Sequence, residues 1–481
     1  MRSDRCAVTM VTVLASAILV LCHCSNPSSP STGTVTGTVV LENQTDNAGV
    51  TVKLYAPAEI DPDLADLQSL HPNIGITLNQ KVIFDHRLAD LIATANTAAN
   101  GSYSLKNLPI GRFVLVAEKD GFGHQKRCDV TVKASSETAI PEINLLEEKE
   151  LSGTLIANTA LEAHRHYLVI GDVTVPSYIT LTIEPGVHIK FDGYYTLLIN
   201  GRMEAVGTEE DMIVFTSQKQ VPSKDDWKRI EFSSSGQGSE MCWCKIEYAT
   251  SGIYGKAVPL SLSHNVVKNS TENGILIFST FTMPVEVKNN LIINSNKGLW
   301  LEDVGNGTIE NNIAFENQEL GIGCQQSSPL LKNNLCMANE YGLYLVYNSN
   351  AQCRNNVLLN NDWGMACGGD SKPLLRLCNF TDNSQGAIHI FIPPRGSRAQ
   401  PTIRYSNFEE QTILIRVTGG PQAPNDLDID ATNNFWGGFS VEEIDRLILD
   451  KSDATPDLAP YVAQVFYLPM ETAEIDSAGL L

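Results

Sequence analysis

A short asparagine-containing segment recurs at a nearly constant interval through the second half of the chain. In the copy at residues 332–345, KNNLCMANEYGLYL, two asparagines precede a short apolar run, and a glycine precedes a second apolar run. Self-similarity at about 22 residues is typical of a solenoid, in which each repeat forms one coil of a stacked core. The second asparagine of the aligned copies falls at Asn265, Asn290, Asn312, Asn334, Asn356, Asn379, Asn407 and Asn434.

The apolar runs within the repeat predict strands rather than helices. They are short, carry β-branched residues and alternate with polar residues, as in VEVKNNLIIN at 285–294. About 22 residues at ~3.3 Å each trace a loop of roughly 70 Å, which accommodates three short strands and three turns. Asparagine tolerates the left-handed backbone conformation of a sharp corner, and identical amides one coil apart form hydrogen-bonded ladders.

With these features the repeats resemble right-handed parallel β-helix proteins of the pectate-lyase-like class. Residues 167–193 look like the first coils of that family, and NNFWGG followed by a short helix at 440–450 looks like its closing segment. The resemblance implies an all-β fold, with a β-helix at 150–438 and a C-terminal cap and tail at 439–481. Because this fold hosts many functions, the resemblance alone does not identify an activity.

Residues 34–146 have a different pattern, which predicts a β-sandwich that precedes the β-helix. The segment NGSYSLKNLPIG at 100–111 resembles the carboxypeptidase regulatory-like domains, whose transthyretin-like or immunoglobulin-like fold is often called carbohydrate-binding-like. An insertion at 58–93 departs from that family's pattern and is acidic. Because it lacks the glycine and terminal glutamate of a calcium loop, we expect a solvated acidic loop, and calcium is the only cofactor kept open. The aspartates in question are Asp61, Asp63 and Asp66.

Residues 1–24 resemble an export signal. Arg2 and Arg5 precede an apolar run at 7–22, which has the length of a signal-peptide core and is short for a membrane span. The Ser/Pro-rich segment 25–33 that follows is expected to be a tether.

The signal also resembles that of a bacterial lipoprotein, with Cys24 as the lipidated residue. His23 departs from the small residue which that family has before the cysteine. Lipid anchoring to the outer or cytoplasmic membrane and simple cleavage are therefore both open. Either one predicts an exported protein of the cell envelope, in the periplasm or on the cell surface.

Charge and composition limit the ligand classes. A formal net charge of -21, from 34 basic and 55 acidic residues, argues against a nucleic-acid-binding surface. The cysteines beyond the leader have no metal-ligand spacing, and the nine histidines are scattered along the chain. In CWC at 242–244, both cysteines are expected to face the core. We assign no metal ligands from the sequence.

One aromatic pattern suggests a ligand surface. Two residues after the repeat glycine, Trp300, Gly323 and Tyr344 alternate with apolar neighbours and should face outward from three consecutive coils. His389 joins this column if a bulge shifts its phase. Two aromatic rings about 10 Å apart, with a slot at the glycine between them, would stack on sugar rings. The alternative is that the rings only cover the sheet.

The residues that catalyse polysaccharide cleavage on this fold are not recognisable in the sequence. Asp225 and Asp226 are adjacent in a turn and are expected to face the solvent, whereas a hydrolase needs two carboxylates that flank one bond. We therefore predict no catalytic residues.

The leading hypothesis is a non-catalytic exported protein that binds carbohydrate or acts as a structural or adhesive rod. The alternative is a lyase or hydrolase that acts on acidic polysaccharide. A third option, suggested by related periplasmic β-helix proteins that assist metal-centre maturation, has no histidine or methionine cluster in the sequence to support it. The sequence does not indicate an oligomeric state.

Overall fold

The computed structural model is all-β, as predicted. Its described residues contain no helix with the length and apolar character needed to cross a membrane. The predicted export signal, Cys24 and most of the tether lie outside the described residues. The structure describes residues 32–233, 238–392, 399–409, 412–419 and 428–481.

Eight strands near the N-terminus form two four-stranded sheets. Val35, Val52 and Leu115 belong to the apolar core that the two sheets share. The resemblance to carboxypeptidase regulatory-like domains stays a prediction. One sheet contains β1 (Gly33–Leu41), β4 (Ser102–Leu108), β7 (Glu137–Ala139) and β8 (Ile143–Leu145). The other contains β2 (Thr51–Tyr55), β3 (Leu91–Asn96), β5 (Gly111–Lys119) and β6 (Gly123–Val132).

A parallel β-helix follows, and its coils pass through three faces around one continuous apolar core. In the first coils, β9 (Lys149–Thr154) and β11 (His166–Val175) pair with each other along faces two and three. Face one contains β10 (Thr159–Leu161), β12 (Thr180–Ile183), β15 (Arg202–Val206), β18 (Ser239–Cys242), β21 (Leu260–Ser263), β24 (Val285–Lys288), β27 (Gly307–Glu310), β30 (Leu330–Lys332), β33 (Gln352–Arg354), β36 (Leu374–Arg376), β39 (Thr402–Arg404), β42 (Ile429–Asp430) and β44 (Val465–Phe466).

Faces two and three are built in the same way. Face two contains β13 (His188–Phe191), β16 (Ile213–Ser217), β19 (Cys244–Glu247), β22 (Val266–Lys268), β25 (Leu291–Ile293), β28 (Ile313–Phe315), β31 (Leu335–Met337), β34 (Val357–Leu359), β37 (Asn379–Thr381) and β40 (Asn407–Glu409). Face three contains β14 (Thr196–Ile199), β17 (Arg229–Phe232), β20 (Ile253–Lys256), β23 (Asn273–Phe278), β26 (Lys297–Glu302), β29 (Leu320–Gln325), β32 (Tyr341–Val346), β35 (Trp363–Gly368), β38 (Gly386–Phe391), β41 (Ile415–Val417) and β43 (Ile448–Leu449).

The corner between faces one and two contains the predicted asparagine column. The amide nitrogens of Asn312 and Asn334 each donate to the side-chain oxygen one coil above, at 3.0 Å. Asn379 and Asn407 do not belong to this column, although the alignment of repeats included them. Cys378 and Ser406 occupy the two positions instead. The pairing of successive coils aligns the residue before each asparagine, rather than the asparagine itself, with the column.

The other two corners contain polar columns that the alignment did not identify. Between faces two and three, Asn317, Asn339 and Asn361 form a second amide ladder with 3.0–3.1 Å hydrogen bonds. Between faces three and one, the backbone amide of Ser349 donates to the Ser371 hydroxyl at 3.0 Å. All three corners therefore satisfy buried backbone groups with side chains stacked at the coil period.

The insertion at 58–93 is partly helical and partly buried rather than a loop, although its three aspartates are exposed, as expected. It contains helices α1 (Pro62–Leu70) and α2 (Gln80–Ile83), and Asp61 accepts the Leu64 backbone N–H at 2.9 Å as the N-cap of α1. Ile74 and Ile76 are buried with Ile313 on face two. The acidic residues therefore begin a helix that packs on the solenoid.

The C-terminal segment closes the last coils and then runs back along the solenoid. Helix α3 (Val441–Leu447) begins with a capping box at Ser440 and Glu443, and a 3₁₀ turn follows at Ala459–Tyr461. The last residues then lie over the corner asparagines, where the Leu481 backbone N–H donates to Asn333 at 2.7 Å. The predicted helix near the C-terminus is thus confirmed.

Candidate metal centre

Three histidines meet where the sandwich packs against the first coils of the β-helix. His166 on β11 and His188 on β13 are register partners, and their rings stack with centroids 4.5 Å apart and planes 6° apart. His124 on β6 of the sandwich presents its ring edge-on to both, at 4.6 and 5.0 Å. One ring nitrogen from each histidine lies within 4.8 Å of the other two.

The backbone of β6 approaches the His166 ring closely. Gly123 lies in the left-handed region with a φ of +71°, and a Cβ at this position would overlap the His166 ring. His166 Nε2 lies 2.8 Å from the His124 carbonyl oxygen and 3.4 Å from the His124 backbone nitrogen. In the tautomer that makes the shorter contact, Nε2–H donates to the carbonyl and Nδ1 is unprotonated, and Nδ1 is buried without a hydrogen-bond partner among the described residues.

Burial keeps these imidazoles neutral. It lowers the pKa of His166 to about 3, with the nearby Lys190 ammonium acting in the same direction. Burial, and then the neighbouring imidazoles, also hold the pKa values of His124 and His188 well below the usual histidine range. A neutral imidazole is the form that binds a metal ion, so protons compete weakly for these nitrogens.

A polar cavity of about 570 Å³ adjoins the histidines and is lined by both domains, including His86, Lys126 and Lys190. The His86 and His124 ring centroids are 4.7 Å apart. Lys190 forms an ion pair with Glu148, whereas the Lys126 ammonium donates to the Lys81 carbonyl oxygen at 2.8 Å. Burial lowers the pKa of Lys126 to about 8.

A charged network forms the far side of the same cavity. Arg87 contacts Asp85 at 2.7 Å and Glu247 at 3.3 Å, and Lys245 and Lys268 each lie 3.3 Å from Glu247. Burial acts to raise the pKa of both carboxyls, but Arg87 lowers that of Asp85, and the two ammonium groups lower that of Glu247. The network therefore holds two carboxylates ionised behind the histidines.

The donor set fits a transition metal. Imidazole nitrogens suit zinc, copper, nickel and iron, whereas calcium and magnesium require oxygen ligands. A His166 Nε2–H that donates to a backbone carbonyl is the usual outer-shell arrangement of a metal-ligating histidine, and its orphaned Nδ1 is a free donor atom. Three protein ligands would leave another coordination position for water or a further ligand.

The sequence does not reveal this cluster because its members are far apart in the chain and lie on two domains. One signal was present, since His166 and His188 are 22 residues apart, which is the coil period. The contribution of His124 depends on how the sandwich docks, and the repeat does not determine that docking.

The predicted aromatic column is formed on face three. Trp300, Gly323 and Tyr344 are register partners on β26, β29 and β32, and His389 follows in the same column after Ala366. No open slot exists at Gly323, because the Trp300 ring lies where a Cβ would be.

The two rings of this column are closer together and more buried than expected. Trp300 is only 8% exposed, and its ring centroid is 6.4 Å from that of the half-buried Tyr344. The Lys297 ammonium lies 4.5 Å from the Trp300 ring centroid. The insertion at 58–93 does not pack here, since its apolar residues contact face two.

Two other sequence expectations need correction. Asp226 is buried rather than solvent-facing, and it pairs with Lys219 at 2.6 Å, so the carboxylate stabilises its own turn. Cys242 and Cys244 flank a corner at Trp243, whose φ is 54°, and only Cys244 is fully buried. The eight cysteines of the described residues are all free thiols.

Comparisons with family models agree with the architecture. Residues 153–236 match a pectate-lyase-like β-helix domain, and residues 217–388 match the family described as periplasmic copper-binding protein (NosD). Both matched regions lie within the parallel β-helix. The periplasmic family match agrees with the export predicted from the N-terminus.

Individual proteins add little to this comparison. No curated protein matches the chain. Two solved structures are similar to short parts of it, and the chain covers less than half of either protein. The Bacillus anthracis TIE protein is 14% identical, with 26% of this chain and 18% of that chain covered and a TM-score of 0.15. The minor pilin GBS52 of Streptococcus agalactiae is 18% identical, with 24% and 45% covered and a TM-score of 0.15.

Proposed function

We propose that this exported β-helix protein binds a transition-metal ion, with copper as the preferred metal, through His124, His166 and His188. The observation that carries the proposal is the convergence of three ring nitrogens within 4.8 Å at a domain junction where His166 is buried and the other two histidines are partly buried. His166 Nδ1 supports it, because it has no hydrogen-bond partner among the described residues, and a buried nitrogen without a partner costs about 1–3 kcal/mol unless something binds it.

Two considerations favour copper. Among divalent first-row metals, Cu²⁺ forms the most stable complexes with a given nitrogen-donor site. Part of the β-helix also matches the periplasmic copper-binding family, at residues 217–388. The three histidines lie outside that matched region, so the proposal depends on the geometry of the junction rather than on a transferred motif.

The proposal is tested by titrating metal-free protein with Cu²⁺, Zn²⁺ and Ni²⁺, with stoichiometry from elemental analysis and affinity from calorimetry. We expect one copper ion per chain and tighter binding of copper than of zinc or nickel. His188→Gln should weaken copper binding by more than about 100-fold, because losing an outer-shell partner alone costs 10- to 100-fold.

His71→Ala is the matched control, because His71 is also half-buried but lies in the insertion, outside the cluster. It should retain wild-type copper affinity. Equal losses in the two variants, or a wild-type affinity in His188→Gln, would contradict the proposed site. The near-ultraviolet spectrum of each metal-free variant reports whether the fold is intact.

Carbohydrate binding on face three is a second candidate, because Tyr344 is near Tyr341 and Phe391, with ring centroids 5.2 and 5.9 Å away, and all three are half-buried. Aromatic rings of this kind stack on the apolar faces of sugars. Tyr344→Ala should abolish binding to a glycan array without a change in copper affinity. Glycan binding that persists in Tyr344→Ala would remove this surface from consideration.

A further inference from the structure

A column of basic side chains runs along face one of this acidic protein. The outward position before the corner asparagines is occupied by a basic residue on four consecutive coils, and the pairing of the strands places the four in register. The column contains Lys332, Arg354, Arg376 and Arg404. At ~4.8 Å between coils, the four charges extend over about 14 Å.

The neighbouring outward column on the same four coils has no carboxylate. Its residues alternate with the basic ones on the strand and face the same way, because the residue between each pair points into the core. This neutral column contains Leu330, Gln352, Leu374 and Thr402. On these coils, face one therefore presents cations beside neutral and apolar groups.

In the part of the chain that the structure describes, acidic partners are found only at the two ends of the column. Lys332 pairs with Glu310 on the coil below at 2.6 Å, and Arg404 pairs with Asp430 on the coil above. Of the described residues, no carboxylate lies within ion-pair distance of Arg354 or Arg376. The two central guanidinium groups are thus the ones available to a ligand.

The central arginines are also exposed. Among the described residues, the Arg354 side chain donates only to the adjacent Asn355 side chain, at 3.3 Å. Arg376 is exposed as well, and its Cζ lies 5.7 Å from the ring centroid of Tyr405, which is 39% exposed. A guanidinium beside an exposed aromatic ring combines an anion contact with an apolar surface.

We propose that Lys332, Arg354, Arg376 and Arg404 form a binding strip for a linear anionic polysaccharide. A straight array of cations at a regular spacing complements a polymer that repeats one acidic group per unit. Arginine binds carboxylate and sulfate groups through paired N–H donors. The neutral column and Tyr405 provide surface for the apolar faces of the sugars. The strip lies on face one, away from the histidines and from the aromatic column.

The test uses the full chain in its metal-free form, so that its result is independent of the proposed copper site. Fluorescently labelled polyuronate oligosaccharides of graded length, and heparin oligosaccharides as sulfated counterparts, are titrated and followed by anisotropy. We expect affinity to rise with length until the oligosaccharide spans about 14 Å, and to fall with added salt.

The test variant is Arg354→Glu combined with Arg376→Glu. Both side chains are exposed, so the fold should persist, and we expect affinity to fall about tenfold or more through loss and reversal of the central charges. The matched control is Lys106→Glu combined with Lys133→Glu, which changes the net charge equally on exposed sandwich positions. The control should bind as the wild type does.

Three results would overturn the proposal. The first is wild-type affinity in the arginine variant, and the second is an equal loss in the sandwich variant, which would indicate a non-specific charge effect. The third is tighter binding of a single-stranded oligonucleotide of equal charge, which would assign the strip to another polymer. Stronger binding of heparin than of polyuronate would identify sulfate as the preferred acidic group and support the strip.

Discussion

At the residue scale, the two adjacent asparagines at the corner of each repeat have different structural roles. The first, such as Asn333 with a φ of 56°, adopts the left-handed conformation that turns the corner. The second, such as Asn334, is fully buried and joins the ladder. The sequence predicted both roles but did not divide them, because either asparagine satisfies the spacing of the repeat.

This division predicts that Asn334→Ala destabilises the protein by about 2–4 kcal/mol, because several buried hydrogen-bonding groups lose their partner together. The backbone and side-chain N–H groups of Asn312 both donate to Asn334, at 3.0 Å. Urea denaturation measures the change. The control is Asn350→Ala. Asn350 is exposed, and its side chain accepts a hydrogen bond from the Lys372 backbone N–H one coil above, so its loss should cost less than about 1 kcal/mol. Equal losses in the two variants would contradict the ladder.

The buried histidines predict a dependence of stability on pH in the metal-free protein. The pKa of His166 is about 3 in the folded state and near 6.5 when unfolded, so the unfolded chain takes up a proton first as the pH falls. Stability is therefore unaffected above pH 6.5 and is lost on acidification below it, by about 2 kcal/mol at pH 5 for this histidine.

Comparing wild type with His166→Gln isolates this contribution, since glutamine retains a donor for the His124 carbonyl. Urea denaturation between pH 7 and pH 5 measures the stability of each protein. The stability of the variant should fall less steeply with pH than that of the wild type, because its unfolding takes up one proton fewer. Parallel curves for the two proteins would contradict a neutral His166.

At the element scale, the repeat predicted the strands of the β-helix well, because each coil must place apolar residues inside and polar residues at its corners. The helices of the insertion were not predicted. They are short, and they are stabilised because Leu64, Ile74 and Ile76 of the insertion are buried against face two. The residues of face two are far from the insertion in the sequence. A contact of that kind leaves no local pattern in the sequence.

Strand β6 provides a test of how closely the two domains must approach. Gly123→Ala would place a methyl group on the His166 ring and would also strain a backbone at φ +71°. We expect β6 to shift by a few tenths of an ångström or more and copper affinity to fall at least about tenfold. Calorimetry measures the affinity, and Gly121→Ala is the control.

Gly121 has a similar φ of +80°, but a Cβ there would meet no atom within 4 Å. Its substitution therefore reproduces the backbone strain without the overlap. If both variants bind copper equally well, the close approach of β6 is not required for the site.

At the scale of the whole molecule, the outward side of face two changes from polar to apolar along the solenoid axis. The column begins with His166 and His188 and continues through Val214 and Lys245 to Val266. The sandwich contacts its polar beginning, and the insertion covers the apolar part that follows. The candidate metal centre therefore belongs to the surface on which one domain docks against the other.

One ion pair between the domains should govern this docking. The Arg165 guanidinium of the β-helix donates to both carboxylate oxygens of Glu42 in the sandwich, each at 2.9 Å, and to the Glu147 carbonyl oxygen at 2.6 Å. Hydrogen bonding to Arg165, the largest influence, lowers the pKa of Glu42 to about 2. A lowered carboxyl pKa gives stability that is present above pH 4.5 and is lost as the pH falls towards 2.

We expect Glu42→Gln to lower stability by about 1–3 kcal/mol at pH 6, because the buried Arg165 loses a charged partner. The difference from wild type should shrink as the pH falls from 4.5 towards 2, since Glu42 then becomes neutral in both folded and unfolded chains. Urea denaturation across this range measures it. Copper affinity at pH 6 provides a second readout, because looser docking moves His124 away from the other two histidines. A difference in stability that stays constant at all pH values, or unchanged copper affinity despite the loss of stability, would contradict the prediction that this ion pair governs the docking of the two domains.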